Sequence, residues 1–250
     1  VNAWKETVLR RFDAAAGTYD EATGLQRRVA AALARQVLSL PPPPAPDVLE
    51  VGCGTGILTG ELAPRLPGCR WLATDLAPGM VEACARRTGD GVALRVMDGE
   101  FPDLPEARFD LVVSNLAVQW FEDPAAGIRR LHRLLRPGGA LAATTLGAGT
   151  FPEWRRTCRR AGAAPGMPPY PRGPALAAAL GPDCSVRSRA FPLRCEDLKG
   201  FLDHLRLTGA RTPAPGHPGL APGALGRILR AAGGAPFTAT YQVLTVVWGR

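Results

Sequence analysis

The chain has 250 residues, 46% hydrophobic and 21% charged, and a net charge of +8; only Lys5 and Lys199 among its 30 basic residues are lysine. That apolar share supports a sizeable core in one large domain or two small ones. Its 29 glycines and 25 prolines follow no three-residue period, which excludes a collagen-like fibre, and no apolar run reaches the ~18 residues of a membrane span.

The first 40 residues read as helical, with Leu25, Val29, Leu33 and Val37 forming one apolar stripe. Pro41 to Pro44 end that segment and form a stiff spacer. Strands are predicted at Asp47–Val51, Trp71–Thr74, Val92–Met97, Leu111–Ser114 and Leu141–Thr145, the last starting after Pro137-Gly138-Gly139. Helical stretches such as Ala125–Leu135 lie between them. This alternation predicts a parallel α/β sheet. Beyond residue 150, proline-rich loops at 162–174 and 212–222 flank a strand at Ser185–Leu193 and a helix at Leu198–Leu207, and Tyr241–Trp248 reads as a final strand. The expected organisation is a helical cap (1–40), a ligand-binding core (45–150) and a lid with closing strands (151–250), all in one globular domain.

Cys53, Cys69, Cys84, Cys158, Cys184 and Cys195 form no CxxC, and His132, His204 and His217 are scattered. Neither a zinc site nor a disulfide framework is expected; reduced thiols in the cytoplasm are. The first eleven residues hold Lys5, Glu6, Arg10 and Arg11 and no long apolar stretch, so no secretory signal is expected. The basic balance fits an acidic protein partner as well as nucleic acid. Against nucleic acid, basic and aromatic residues do not interleave into a stacking platform.

The strongest local signal is Glu50-Val51-Gly52-Cys53-Gly54-Thr55-Gly56, a buried strand running into alternate glycines. Glycines let the backbone approach a ligand, and ligands of such sheets sit at the carboxyl ends of the strands. The acid at Glu50 disfavours a pyrophosphate and suits a cation. Asp75 ends the second strand, where a carboxylate can accept both ribose hydroxyls. Asp98 ends the third, before Gly99, and Asn115 ends the fourth. Each of these three, taken alone, also reads as a helix N-cap.

As a set, Glu50–Gly56, Asp75, Asp98, Phe109–Asn115 and Pro137–Gly139 resemble the successive motifs of class I S-adenosylmethionine-dependent methyltransferases. That resemblance implies a Rossmann-like seven-stranded, mostly parallel sheet with the last strand antiparallel. A narrower resemblance lies in Arg11–Asp20 with Leu25-Gln26-Arg27, in Asp98-Gly99-Glu100, in Ser114–Trp120, in Leu205–Ala210 and in Pro236–Trp248. These are similar to the malonyl-[acyl-carrier-protein] O-methyltransferases of biotin synthesis. Departures are Gly99, where the family has alanine, and Arg206, where it has lysine.

The resemblance implies S-adenosylmethionine as methyl donor, held by Tyr19, Gln26, Glu50, Gly52, Cys53, Gly54, Gly56, Asp75, Leu76, Met80, Asp98, Gly99, Asn115 and Leu116. Within that set Asp75 takes the ribose, Met80 packs near the adenine, and Asp98 or its neighbouring amides read the adenine edge. Tyr19 folds over the donor, or is a buried aromatic of a helical stripe. Gln119 faces the acceptor, or is an interior amide. Arg206 grips the malonyl carboxylate, or is a solvated helix charge. No metal is expected. A carboxylate acceptor is already ionised at neutral pH, so no general base is needed. The implied partner is an acidic malonyl-acyl carrier protein, docking on a ridge of Arg155, Arg156, Arg159 and Arg160; no nucleic acid and no membrane are expected. The alternatives are another methyltransferase acting on a small acid or a quinone-like phenol, and a non-methylating assembly-factor relative.

Overall fold

The computed structural model describes residues 2–40, 44–217, 219–221 and 223–250. Strands β1 (Asp47–Val51), β2 (Arg70–Asp75), β3 (Ala93–Val96), β4 (Phe109–Asn115) and β5 (Leu135–Leu146) are parallel. With β6 (Cys184–Cys195) and β7 (Phe237–Gly249) they form a seven-stranded sheet of order β3-β2-β1-β4-β5-β7-β6, in which β7 runs antiparallel to both neighbours. The strand order reverses between β1 and β4, which opens a crevice at their carboxyl ends. The helices are α1 (Ala3–Ala15), α2 (Gly24–Leu38), α3 (Ile57–Leu62), α4 (Pro78–Thr88), α5 (Pro124–Arg133), α6 (Pro152–Arg160), α7 (Gly173–Leu180), α8 (Leu198–Leu207) and α9 (Ala224–Ala232).

Alternation along the strands divides the core into two layers. Val48 faces the layer of α2, α3 and α4, beside Leu33, Leu58 and Cys84. Leu49 and Val51 face the layer of α5 and α7, beside Ile128, Leu131 and Leu176. A third apolar cluster joins Leu25 and Val29 of α2 to Phe151, Trp154, Phe201, Ile228 and Tyr241. The predicted stripe Leu25, Val29, Leu33, Val37 is buried along its whole length.

Several expectations are corrected. The N-terminal segment is not one helix: it breaks at a 3₁₀ turn, Tyr19–Ala22, between α1 and α2. Pro137-Gly138-Gly139 lies inside β5 rather than before it. There the pairing with β4 shifts register between Phe109 and Leu111, and Gly138, at φ +82°, donates its N–H to the Arg250 carbonyl at 2.6 Å. The expected strand at Ser185–Leu193 is extended to β6, which pairs with β7 along its full length. Pro41–Pro43 of the proposed spacer, and Pro218 and Pro222 of the second proline-rich stretch, lie outside the described residues. No described helix is long and apolar enough to cross a membrane, and no described cluster of His, Cys, Asp or Glu is placed to hold a metal.

Candidate active site

β1 delivers Glu50 and then Gly52, Gly54 and Gly56, at φ +70°, +53° and +81°. The loop's donors are already engaged. Gly52 and Cys53 donate to the Thr74 carbonyl at 2.8 and 2.9 Å, Gly54 to Asp75 Oδ2 at 2.9 Å, and Gly56 to the Cys53 carbonyl at 2.9 Å. A phosphate-binding loop points its N–H groups at the ligand; these four point elsewhere. A Cβ on Gly52 would stand 2.1 Å from the Ala117 Cβ, so the turn after β4 packs directly on the loop.

Around this loop lies a cavity. Of the residues predicted to hold a donor molecule, Tyr19, Gln26, Glu50, Gly52, Cys53, Gly54, Asp75, Leu76, Met80, Asp98, Gly99, Asn115 and Leu116 all line it. Gly56 does not. It heads α3, where a Cβ would meet Cys84 Sγ at 3.0 Å, so its role is to let the loop turn into the helix. Glu50 is 1% exposed and accepts from Thr59 Oγ1 at 2.6 Å and Trp71 Nε1 at 3.1 Å. Burial pushes its carboxyl up to about 8 against those bonds. Asp75 accepts from the N–H groups of Gly54 and Ala77, both at 2.9 Å, and burial raises its carboxyl as well. Each of its oxygens keeps acceptor capacity.

Asp98 is committed differently from the sequence reading. Both its oxygens lie 2.7 Å from the Lys5 ammonium, which also donates to Glu100 Oε2 at 2.8 Å. Glu100 in turn accepts from the N–H groups of Glu122 and Asp123. Lys5 is 2% exposed, sits on α1 and lines the cavity. The sequence reading missed it. A signal was present: Val8, Leu9 and Phe12 follow Lys5 at helical spacing and line the same cavity.

Tyr19 stands on the 3₁₀ turn, which is locked to the glycine loop. Thr55 Oγ1 donates to Asp20 Oδ1 at 2.6 Å, and Arg87 pairs with Asp20 while donating to the Thr55 carbonyl at 2.6 Å. Burial, then Asp75 and Asp20, push the Tyr19 phenol well above its ordinary range.

Beyond Tyr19 a second chamber opens. It shares Phe12, Tyr19, Gln26, Leu116 and Trp120 with the first, and adds Gln119, Leu146, Phe151, Tyr170, Leu205, Thr208, Ala210 and Tyr241. Tyr170 and Tyr241 were not foreseen as site residues. Burial raises both phenols, Tyr241 being raised further by Tyr170, Cys195 and Tyr19; the three tyrosines line one chamber. Leu116 and Phe151 hold φ +53° and +54°, an uncommon conformation for such residues. It is kept by the Leu116 N–H donating to Thr144 Oγ1 at 2.9 Å and the Phe151 N–H donating to the Thr240 carbonyl at 2.8 Å. Thr144 Oγ1 also donates to Asn115 Oδ1 at 2.9 Å, which fixes that side chain. Gln119 lines this chamber only. Arg206 lines neither: its side chain is 56% exposed and stands 3.7 Å from Asp203.

A family model described as "Methyltransferase domain" matches residues 49–143. The biotin biosynthesis bifunctional protein BioCD of Bordetella avium is 37% identical over 97% of this chain, and the chain spans about half (52%) of that relative. A malonyl-[acyl-carrier protein] O-methyltransferase of Magnetococcus marinus is 38% identical over 88% of this chain and 84% of its own length. Among solved structures, a putative methyltransferase of Bacillus halodurans superposes with a TM-score of 0.60 at 15% identity, covering 87% of this chain and 96% of that one. The YcgJ protein of Bacillus subtilis superposes with a TM-score of 0.59 at 16% identity, covering 88% and 98%.

The first cavity fits S-adenosylmethionine on its own terms. Its loop has no free donor among Gly52, Cys53, Gly54 and Gly56 for an anion. Asp75 is pinned by backbone with acceptor capacity left for a diol. The Gln26 carbonyl oxygen is buried without a protein partner, as an acceptor facing a cation is. The chain belongs to the malonyl-[acyl-carrier protein] O-methyltransferase family, and is a class I methyltransferase whose methyl donor is S-adenosylmethionine.

Proposed function

We propose that the chain methylates the free carboxylate of a malonyl thioester presented by acyl carrier protein, giving the methyl ester from which pimeloyl and then biotin synthesis start. The observation that carries this is the make-up of the second chamber. Its hydrogen-bonding side chains are phenols, amides, a threonine hydroxyl and the Trp120 indole; among the described residues no Asp, Glu or His lines it. A phenol acceptor, near pKa ~10, would need a base there; a carboxylate is already anionic at neutral pH.

When bound, S-adenosylmethionine supplies a methyl group on a positively charged sulfur. Asp75 holds the ribose, and Gln26 and Glu50 offer oxygen to the cationic end. Met80, 1% exposed, packs against the base. With Asp98 tied to Lys5, the backbone amides beside it read the adenine edge. Tyr19, Tyr170 and Tyr241, kept protonated by burial, donate to the acceptor carboxylate. These neutral donors replace Arg206 in that role. They orient the anion without the full neutralisation of an ion pair, so the oxygen stays nucleophilic. The aromatic walls exclude water, and alignment of the reacting atoms contributes up to roughly 7–11 kcal/mol.

For the carrier, α6 presents Arg156, Arg159 and Arg160 to solvent, while Arg155 turns inward to the Thr150 carbonyl at 3.3 Å. The ridge is thus three arginines rather than four. Arg227 and Arg230 of α9 extend it, with Arg227 donating to the Ala161 carbonyl at the end of α6. The helix that carries this cationic face starts directly after Phe151 of the chamber wall, and the face suits an acidic carrier. Incubation with labelled S-adenosylmethionine and malonyl-carrier protein, with malonyl-coenzyme A and free small acids in parallel, tests the reading. Label on the malonyl thioesters is expected; label confined to a small acid or a phenol overturns it.

A further inference from the structure

Gln119 carries an unanswered acceptor. It is 8% exposed and sits on the 3₁₀ turn Val118–Trp120 after β4. Its Nε2 donates to the Leu116 carbonyl at 2.5 Å. A flipped amide would set two oxygens against each other at that distance, so the orientation is fixed. The other end, Oε1, is buried and has no protein partner. Gln119 lines the acceptor chamber, and Oε1 is its polar atom left without a partner. Burying an unanswered acceptor is unfavourable, so a ligand that supplies a donor is selected. Gln26 carries a similar oxygen, but it also borders the donor cavity.

A malonyl thioester offers a carboxylate, a methylene and a thioester carbonyl. None of these carries an N–H or O–H at neutral pH. The arm that bears the thioester does: in both carrier protein and coenzyme A the sulfur is joined through two carbons to a secondary amide. We propose that Gln119 is a specificity residue for that arm, its Oε1 accepting the hydrogen bond of the amide N–H nearest the thioester. This rests on the malonyl-thioester reading above. The same contact serves both sources of the arm, so preference between carrier and coenzyme must come from the protein surface.

The test is a cycle of two substrates and two enzymes. One substrate is the malonyl thioester of N-acetylcysteamine, which keeps the amide. The other is the same molecule with a methylene in place of the N–H. Wild type should show kcat/KM roughly 10-fold or more higher for the amide. Gln119→Met should bring that ratio close to one, while the loss on malonyl-carrier protein and on malonyl-coenzyme A is equal. An equal loss on both small thioesters, as a purely structural or water-bound glutamine gives, overturns the inference. So does a loss confined to the carrier protein. If the variant does not fold, the wild-type ratio decides, and a ratio of one overturns the proposal. Methylation of neither thioester by wild type would instead sink the malonyl reading, and this inference with it.

Discussion

The two chambers are finished to different degrees. In the donor cavity the loop amides, Asp75 and Asp98 are held by backbone or by Lys5. In the acceptor chamber Gln119 keeps a buried oxygen without a protein partner, and Gln26, which borders both chambers, keeps another. Phe151, in an uncommon backbone conformation, also lies on that side, while Leu116, in another, lies where the two chambers meet. The contrast teaches that the donor site is preorganised by the sheet. Under the proposal above, the substrate completes the Gln119 hydrogen bond, as in a site that discriminates by unanswered polar groups.

The sharpest way to break this comparison is at Lys5. Lys5→Met leaves Asp98 and Glu100 as adjacent carboxylates, 17% and 1% exposed in their side chains. Removing one partner of a buried ion pair costs about 3–5 kcal/mol, to be read as a lowered denaturant midpoint. An unchanged midpoint would show that the donor side is not held by this network. Asp75→Ala should weaken S-adenosylmethionine binding about 100-fold by calorimetry, from the loss of charge-assisted bonds to the ribose. Unaltered affinity would place the ribose elsewhere.

Glu50 gives a pH signature. Its folded carboxyl, pushed up to about 8 from an ordinary 4.5, is raised. Its contribution to stability is therefore complete below the unfolded value and declines as pH rises, until it is gone at about 8. Glu50→Gln should flatten the denaturant midpoint across that window. Binding of a cation beside Glu50 should also release a proton at neutral pH, seen as buffer-dependent calorimetric heat; Glu50→Gln should abolish it.

The smallest expected effect is at the surface. Reversing Arg156, Arg159 and Arg160 to glutamate should slow turnover of malonyl-carrier protein about 10-fold at low salt, with the difference shrinking as salt rises. Malonyl-coenzyme A turnover should change less. Equal rates with the carrier would remove α6 from the docking face.

The two halves also differed in how far they could be read from sequence. β1, β2 and β4 announce themselves as short apolar runs ending in Gly52, Asp75 and Asn115, because a buried parallel strand leaves its polar residues at its tips. The acceptor side is assembled across the chain. Tyr170 comes from a proline-rich segment without periodicity and Tyr241 from a strand that reads as plain β; on the donor side, Lys5 likewise comes from a helix more than 90 positions from its carboxylates. Only tertiary packing brings them together. Arg206 shows the converse: a plausible residue type in a matching segment, turned to solvent by the face of α8 it occupies.

The most direct test is mass spectrometry of malonyl-acyl carrier protein after incubation with this enzyme and S-adenosylmethionine. The account predicts a gain of one methyl group on the malonyl carboxylate, removable by esterase and absent with Asp75→Ala. An unmodified malonyl group under conditions where the protein binds the donor would contradict it.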